Sequence, residues 1–225
     1  MTPLSRRWER PEVVATLSAT SPNDKLMQFA EKELGRSIDP CLLDIGCGAG
    51  CNAVPLAGRG WNVLGLDLSD PMLEAARRRA QQEGLTERLR FQSASMDRLP
   101  LADQSFDFIV AHGIWNLARS VAEFRTAVSE AARVARPGAP LFVFTFSRNT
   151  LPEDAEPVLG EQFVFTQFAG EPQCFLTEAQ LVEELEAVGF IREPGESITE
   201  YNRRKCGELQ SGGAPVLYEG IFRRC

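Results

Sequence analysis

The segment Leu42-Leu43-Asp44-Ile45-Gly46-Cys47-Gly48-Ala49-Gly50 constrains this chain more than any other. A short apolar run breaks into three alternating glycines and then into a helical stretch, Asn52 to Arg59. A strand that ends in glycines before a helix forms a crevice at the carboxyl end of a parallel sheet. Glycines carry no Cβ, so the backbone there approaches a ligand closely. The spacing is GxGxG rather than the dinucleotide GxGxxG, because position 51 is Cys, and glycine spacing alone is weak evidence.

The rest of the chain continues the alternation of apolar runs and amphipathic stretches, which predicts an α/β fold with a doubly wound, mostly parallel sheet. The first strand is Cys41 to Ile45 and the second is Trp61 to Leu66. Ser69-Asp70-Pro71 then opens a helix that runs to about Glu83 and stops at Gly84. A third strand covers Leu89 to Ser93, a fourth Phe106 to Ala111 and a fifth Leu141 to Phe146. Ser120 and Glu123 have capping-box spacing, as do Thr177 and Gln180 before a helix ending near Gly189. Two further strand candidates are Phe190 to Ile198 and Val216 to Phe222. The 225 residues read as a single domain, 1–225. Its first 37 residues form an N-terminal cap with one helix, Asp24 to Leu34, and 147–176 form a substrate-side insertion.

Charge identifies the ligand. Asp44 lies two residues before the first glycine, where a carboxylate repels a pyrophosphate and attracts an ammonium group. No Lys or Arg lies between Cys41 and Gly58 to neutralise phosphate. Asp67 ends the second strand, where a carboxylate accepts ribose hydroxyl protons. A nucleoside with an amino-acid tail and no phosphate meets both demands, and S-adenosylmethionine is such a molecule. A nicotinamide oxidoreductase is disfavoured by Asp44, by the glycine spacing and by the absence of a Tyr-x-x-x-Lys pair.

LLDIGCGAG, LGLDLSDPML, FDFIVAHGIWNLA and ARVARPGAPLFVF, in that order, resemble successive motifs of the class I S-adenosylmethionine-dependent methyltransferases. The similarity is to the small-molecule branch that includes ubiquinone-biosynthesis and tellurite-resistance-type enzymes, and FLTEAQLVEELEAVGF resembles that family's late helix and strand. The resemblance implies a Rossmann-like methyltransferase fold with a final antiparallel strand. It implies that Asp44, Gly46, Cys47 and Gly48 surround the methionine part of the cofactor. Asp67 would hold the ribose, with Leu68 against the adenine. Ser95, Met96 and Asp97 match the adenine-contacting segment, and Ala111 and His112 the residues facing the sulfonium.

His112, the only histidine, is both a catalytic-base candidate and a candidate pocket wall, with Trp115 and Asn116 as candidate substrate contacts. Cys47 and Cys51 read first as small buried residues inside a tight loop; their place near a helix N-terminus, which favours thiolate, keeps a chalcogen- or metalloid-directed methyltransferase as an alternative. A second alternative is a cofactor-binding protein without turnover. The Phe163 to Phe175 section reads equally as a lid or as hairpin packing, and the Arg77-Arg78-Arg79 and Arg203-Arg204-Lys205 runs read as solvated faces. Six cysteines with no CxxC, and one histidine, give no metal-ligand spacing. A net charge of −7 argues against nucleic acid, and no run of about 18 apolar residues suggests a membrane span. The expected partner is a small-molecule acceptor in the cytoplasm, with reduced thiols; the oligomeric state stays open, a homodimer being one reading.

Overall fold

The computed structural model describes residues 7–203 and 214–225. Two short N-terminal helices, α1 (Pro11–Ser18) and α2 (Asp24–Glu33), precede the first strand, β1 (Cys41–Ile45). The chain continues through α3 (Ala53–Gly58), β2 (Asn62–Asp67), α4 (Asp70–Gln82), β3 (Leu89–Ser93), β4 (Phe108–His112), α5 (Val121–Val134) and β5 (Pro140–Phe146). After β5 come a small hairpin of β6 (Val164–Phe165) and β7 (Gln173–Cys174), then α6 (Glu178–Glu186), β8 (Phe190–Arg192), β9 (Thr199–Tyr201) and β10 (Leu217–Arg224).

The main sheet has the order β3-β2-β1-β4-β5-β10-β8, with β9 also paired to β10. Strands β1 to β5 are mutually parallel, and β10 runs antiparallel to β5, as the family resemblance implied. The order reverses between β1 and β4, and in such sheets the ligand crevice lies outside the carboxyl ends at that switch point. The glycine loop follows β1 and His112 ends β4, so both flank the crevice.

Both faces of the sheet are covered, which is why β1 reads as a nearly continuous apolar run. On one face α2, α3 and α4 bury Leu42, Val63, Phe108, Val110, Phe142 and Ile221. Trp61 fills the centre of that layer, and its indole N–H donates to the Ala30 carbonyl at 3.2 Å. On the other face α5, α6 and the hairpin bury Leu43, Ile45, Leu66, Ile109, Val143 and Phe222.

Local chemistry explains the helix starts. The Ser69 hydroxyl accepts from the Met72 N–H, with Pro71 in the first turn, and Gly84 at φ +69° ends α4. Thr177 and Gln180 form a complete capping box. Ser120 accepts from the Glu123 N–H at 3.0 Å, but the Glu123 carboxylate reaches the Arg119 N–H instead of that of Ser120. The second capping-box expectation is therefore met on one side only.

Several boundaries differ from the sequence reading, β2 among them, which runs Asn62–Asp67 instead of Trp61 to Leu66. Among the described residues the N-terminal section holds a helix beyond the one expected: α1 carries β-branched Val13, Val14 and Thr16 and has no side-chain N-cap, so its helical signal is weak. Strand β4 begins two residues later than expected, because Phe106 leaves the sheet to bridge Ala135, and it extends through His112. The expected strand Phe190 to Ile198 breaks after Arg192, where Pro194 removes a ladder donor and Gly195 turns at φ +84°. The last strand runs on to Arg224.

No helix joins β3 to β4. The connecting segment is instead pinned by α5: the Glu130 carboxylate accepts from the Leu99 N–H at 2.7 Å, and Arg133 donates to the Leu99 and Leu101 carbonyls at 3.0 and 2.7 Å. That anchoring fixes the turn at Ser95 to Arg98, which carries the adenine-side candidates. The uncovered sheet beside it forms a groove of about 730 Å³ lined by Asn62, Leu64, Arg90 and Phe106, away from the glycine loop.

Within 147–176, Phe163, Phe165 and Phe175 are buried, and Phe163 packs edge-on against Phe124 of α5. These side chains are hairpin packing; Phe168 alone of the four is exposed. Arg77 and Arg78 lie on the exposed side of α4, while Arg79 turns back to the Ala49 carbonyl at 3.2 Å. Of the later basic run, Arg203 pairs with Glu200, and Arg204 and Lys205 lie outside the described residues, as does Cys206. Among the described residues no helix is long and apolar enough to cross a membrane.

Candidate active site

The glycine loop is held by the end of β2. The N–H groups of Gly46 and Cys47 both donate to the Leu66 carbonyl, at 2.7 and 2.9 Å. Gly46 and Gly48 take φ of +73° and +52°, which favours glycine. Gly46 is fixed sterically as well, since a Cβ there would lie 2.7 Å from Ile114. A Cβ on Gly48 would meet nothing within 4 Å, so this part of the loop borders open space.

Asp44 sits on the β1 register between Gly65 of β2 and Val110 of β4, and is 1% exposed. Its Oδ2 is buried and has no hydrogen-bond partner among the described residues. Burial, then the neighbouring Asp67, push its pKa up to about 8. A buried acid without a donor is costly in the free protein, and an arriving ammonium would relieve it. This orphaned oxygen fits the amino-acid end of the cofactor that the sequence suggested.

Asp67 does two things at once. Its Oδ2 accepts from the Gly48 N–H at 2.9 Å and its Oδ1 from the Ser69 N–H at 2.8 Å, so it braces the loop to the start of α4. Each oxygen keeps a lone pair for a ribose hydroxyl. Burial raises its pKa, and the backbone N–H donors of Ser69, Gly48 and Leu68 act against that rise. Leu68, next in the chain, is 67% exposed, an apolar side chain at the crevice with no core to join. Opposite it, the Ser95 hydroxyl donates to the Asp97 carboxylate and Met96 is buried.

Burial settles Cys47 and Cys51 as small packed residues of the loop and counts against the thiolate alternative. Cys47 is buried beside Asp44 and Asp67, and burial followed by these two acids raises its pKa well above the thiol value. Cys51 is pushed up to about 11, by burial and then by Asp44. Both are held as thiols, because burial, reinforced by the neighbouring carboxylates, outweighs the short helix that follows.

The Ala111 methyl lies in the core, so only its backbone faces the loop region. Trp115 is 1% exposed and packs against Phe124, and Asn116 is 3% exposed. These two therefore sit inside the molecule and not on an open pocket wall. Their indole N–H and amide oxygen have no partners among the described residues.

His112 stacks on Phe144 of β5, with ring centroids 4.4 Å apart and planes 2° off parallel. Burial lowers its pKa to about 4. As the only histidine it gives isolated imidazole signals, which are expected to titrate near pH 4 in the folded protein. An NMR midpoint near 6.5 would contradict the burial. The unfolded chain then binds a proton at higher pH than the folded one. Stability from this group is complete above about pH 6.5 and falls by on the order of 3 kcal/mol as pH drops toward 4.

Several polar residues at the same end of the sheet escaped the sequence reading. Asn23 caps α2 by accepting from the Leu26 N–H at 2.8 Å, donates through its amide to Glu219 at 2.6 Å, and donates its backbone N–H to Asn52 at 3.0 Å. The Tyr201 hydroxyl donates to Glu219 at 2.8 Å. The available signal was Glu219 itself, an acid inside the apolar run Val216 to Phe222. Trp8, Val13, Val14 and Leu17 pack on Ala49, Met72 and Ala75, so the N-terminal segment lies against the glycine loop and α4.

A parallel sheet with its switch point beside a glycine loop and two acids defines a nucleoside-cofactor fold of the Rossmann-like kind. Residues 43–143 match the family described as "Methyltransferase domain". The chain is 39% identical over 114 residues to "Ubiquinone/menaquinone biosynthesis C-methyltransferase UbiE" of Brucella canis, covering 49% of this chain and 41% of that one. It is 31% identical over 183 residues to "Methyltransferase GfsG" of Streptomyces halstedii, covering 80% of this chain and 59% of that one. The chain thus spans less than two thirds of either relative's length. A SAM-dependent methyltransferase from Methanosarcina mazei shares the fold, with a TM-score of 0.67 at 21% identity over 91% of this chain and 99% of that one. Over these stretches the chain is similar to S-adenosylmethionine-dependent methyltransferases, and it shares their fold.

Proposed function

We propose that this protein transfers the methyl group of S-adenosylmethionine to a small-molecule acceptor. The observation that carries the reading is the buried Asp44 Oδ2, which lacks a donor at the carboxyl end of β1. When bound, S-adenosylmethionine would supply a methyl group activated on positively charged sulfur for in-line displacement by an oxygen, nitrogen, carbon or chalcogen acceptor, with S-adenosylhomocysteine as the leaving group and any proton lost by the acceptor atom passing to water.

In this reading Asp44 receives the ammonium group, and Gly46, Cys47 and Gly48 line the methionine part. Asp67 takes the ribose hydroxyls with the lone pairs left by Gly48 and Ser69. Leu68 and Met96 flank the adenine, and Asp97, oriented by Ser95, accepts from its amino group. The Ala111 backbone and the His112 ring border the sulfonium side. Residues 7–37 and 147–176 wall the crevice. His112 is a poor general base at neutral pH, because a conjugate acid near pKa 4 is far below working pH. It acts as an orienting wall. Positioning alone contributes about 7–11 kcal/mol to such reactions, so a dedicated base is not required. The raised thiol pKa values disfavour the metalloid-directed alternative.

Calorimetry tests the reading first: S-adenosylhomocysteine is expected to bind and NADH is not, and heat from NADH alone would overturn it. Incubation with labelled cofactor and a metabolite extract, followed by mass detection, then identifies what gains a methyl group. Cofactor binding with no methylated product would leave only the reading without turnover. Asp67→Ala is expected to weaken S-adenosylhomocysteine by at least about 1.5 kcal/mol, since charge-assisted hydrogen bonds are lost. An unchanged dissociation constant would remove Asp67 from the ribose site.

A further inference from the structure

At the carboxyl end of the sheet, three side chains share one transverse register. His112 of β4 pairs with Phe144 of β5, and Phe144 pairs with Glu219 of β10. Paired residues in a sheet project to the same face, so these three form a row. Tyr201 of β9 closes it, its ring 6.4 Å from that of Phe144 and its hydroxyl on Glu219.

We propose that the His112–Phe144–Tyr201 surface, backed by Glu219, is the acceptor subsite, and that it selects a planar molecule bearing an O–H or N–H donor and no negative charge. The inference rests on the methyltransferase reading for its role in catalysis, but its geometry stands apart from the cofactor loop. The aromatic rings offer faces on which a flat molecule stacks. The donor requirement follows from Tyr201. Its single proton is committed to Glu219, so its oxygen presents only lone pairs to a ligand. Glu219 cannot swing to another role: it is 2% exposed and its second oxygen is held by Asn23, itself fixed by capping α2. Tyr201 is 39% exposed, so the oriented phenol is reachable. Two acids, Asp67 and Glu219, lie along this end of the sheet and disfavour an anionic acceptor by like-charge repulsion.

The test uses the whole protein with phenol, aniline, toluene and benzoate as probes, with and without S-adenosylhomocysteine. Binding is read from the His112 imidazole signals, which a ring stacked on Phe144 would shift. Phenol and aniline are expected to give saturable shifts, with toluene and benzoate at least about fivefold weaker, as one lost hydrogen bond would produce. Tyr201→Phe is expected to weaken phenol and aniline about fivefold while its dissociation constant for S-adenosylhomocysteine stays within about twofold, a check that the variant is folded. His112 signals that ignore every probe, toluene or benzoate binding as tightly as phenol, or an unchanged Tyr201→Phe affinity would each overturn the proposal. Failure of S-adenosylhomocysteine to bind the wild type would overturn the cofactor reading instead, leaving the probe result to be judged by itself.

Discussion

Asp44→Asn is expected to separate binding from stability, lowering cofactor affinity at least about 100-fold while making the free protein more stable at neutral pH. The two effects have one cause. Asp44 is buried with an orphaned oxygen, and its pKa of about 8 lies far above the carboxyl value of the unfolded chain. Between about pH 4 and pH 8 the folded state therefore binds the extra proton. The stability available to the protonated acid is complete below the unfolded pKa, is lost as pH rises toward 8, and is level beyond. At pH 7 the loss is on the order of 4 kcal/mol. The amide that replaces the acid avoids it but leaves a buried polar group at about 1–3 kcal/mol, so a net gain of about 1–3 kcal/mol remains. Thermal unfolding at pH 5 and pH 7 measures this, with the advantage of the variant growing at the higher pH. Binding provides the complement. An ammonium beside Asp44 favours the carboxylate, so the wild type is expected to release close to one proton at pH 7, visible as a dependence of binding heat on buffer ionisation. No proton release, together with wild-type affinity in Asp44→Asn, would detach the ammonium from this residue.

Gly65→Ala is expected to destabilise the protein by about 1–3 kcal/mol and to weaken the cofactor at the same time. A Cβ on Gly65 would lie 2.7 Å from the Phe91 ring and 2.8 Å from Cys47 Sγ. Gly65 is buried between β1 and β3, so neither neighbour has free space to retreat into. Cys47 belongs to the glycine loop, and displacing it strains the two bonds that loop makes to the Leu66 carbonyl. For a chain of this size the melting temperature should fall by about 3–10 °C. A variant as stable as the wild type would mean that the loop moves more freely than its hydrogen bonds imply.

Much of this was legible in the residues. The apolar run ending in Asp44 and the glycines, the acid at Asp67, and the cap at Ser69 each act within a few residues of chain, and each stands where the pattern placed it. Of the two readings of Cys47 and Cys51, thiolates at a helix N-terminus or small residues buried in a tight loop, the structure bears out the second. The helix N-terminus is a local feature, whereas the burial and the acids that raise the thiol pKa values come from the fold. His112 illustrates the same limit. Its position after an apolar run was visible, but its neutrality depends on burial and its orientation on Phe144, thirty-two residues away along the chain and adjacent only through strand pairing. Trp115, which read equally as a substrate contact or as core, lies in the core, and Asn116 is buried beside it, because the segment after β4 packs beneath the hairpin.

By itself the amino-acid order determined the α/β alternation, the crevice after β1 and the carboxylate at its mouth, because strand period, glycine freedom and residue type are properties of short segments. Only the tertiary structure decided which acid is left without a donor, which thiols stay protonated, and which residues from Asn23, Phe144, Tyr201 and Glu219 meet His112's end of the sheet. Those outcomes depend on desolvation and on contacts between segments as distant as Asn23 and Glu219, which no local pattern encodes.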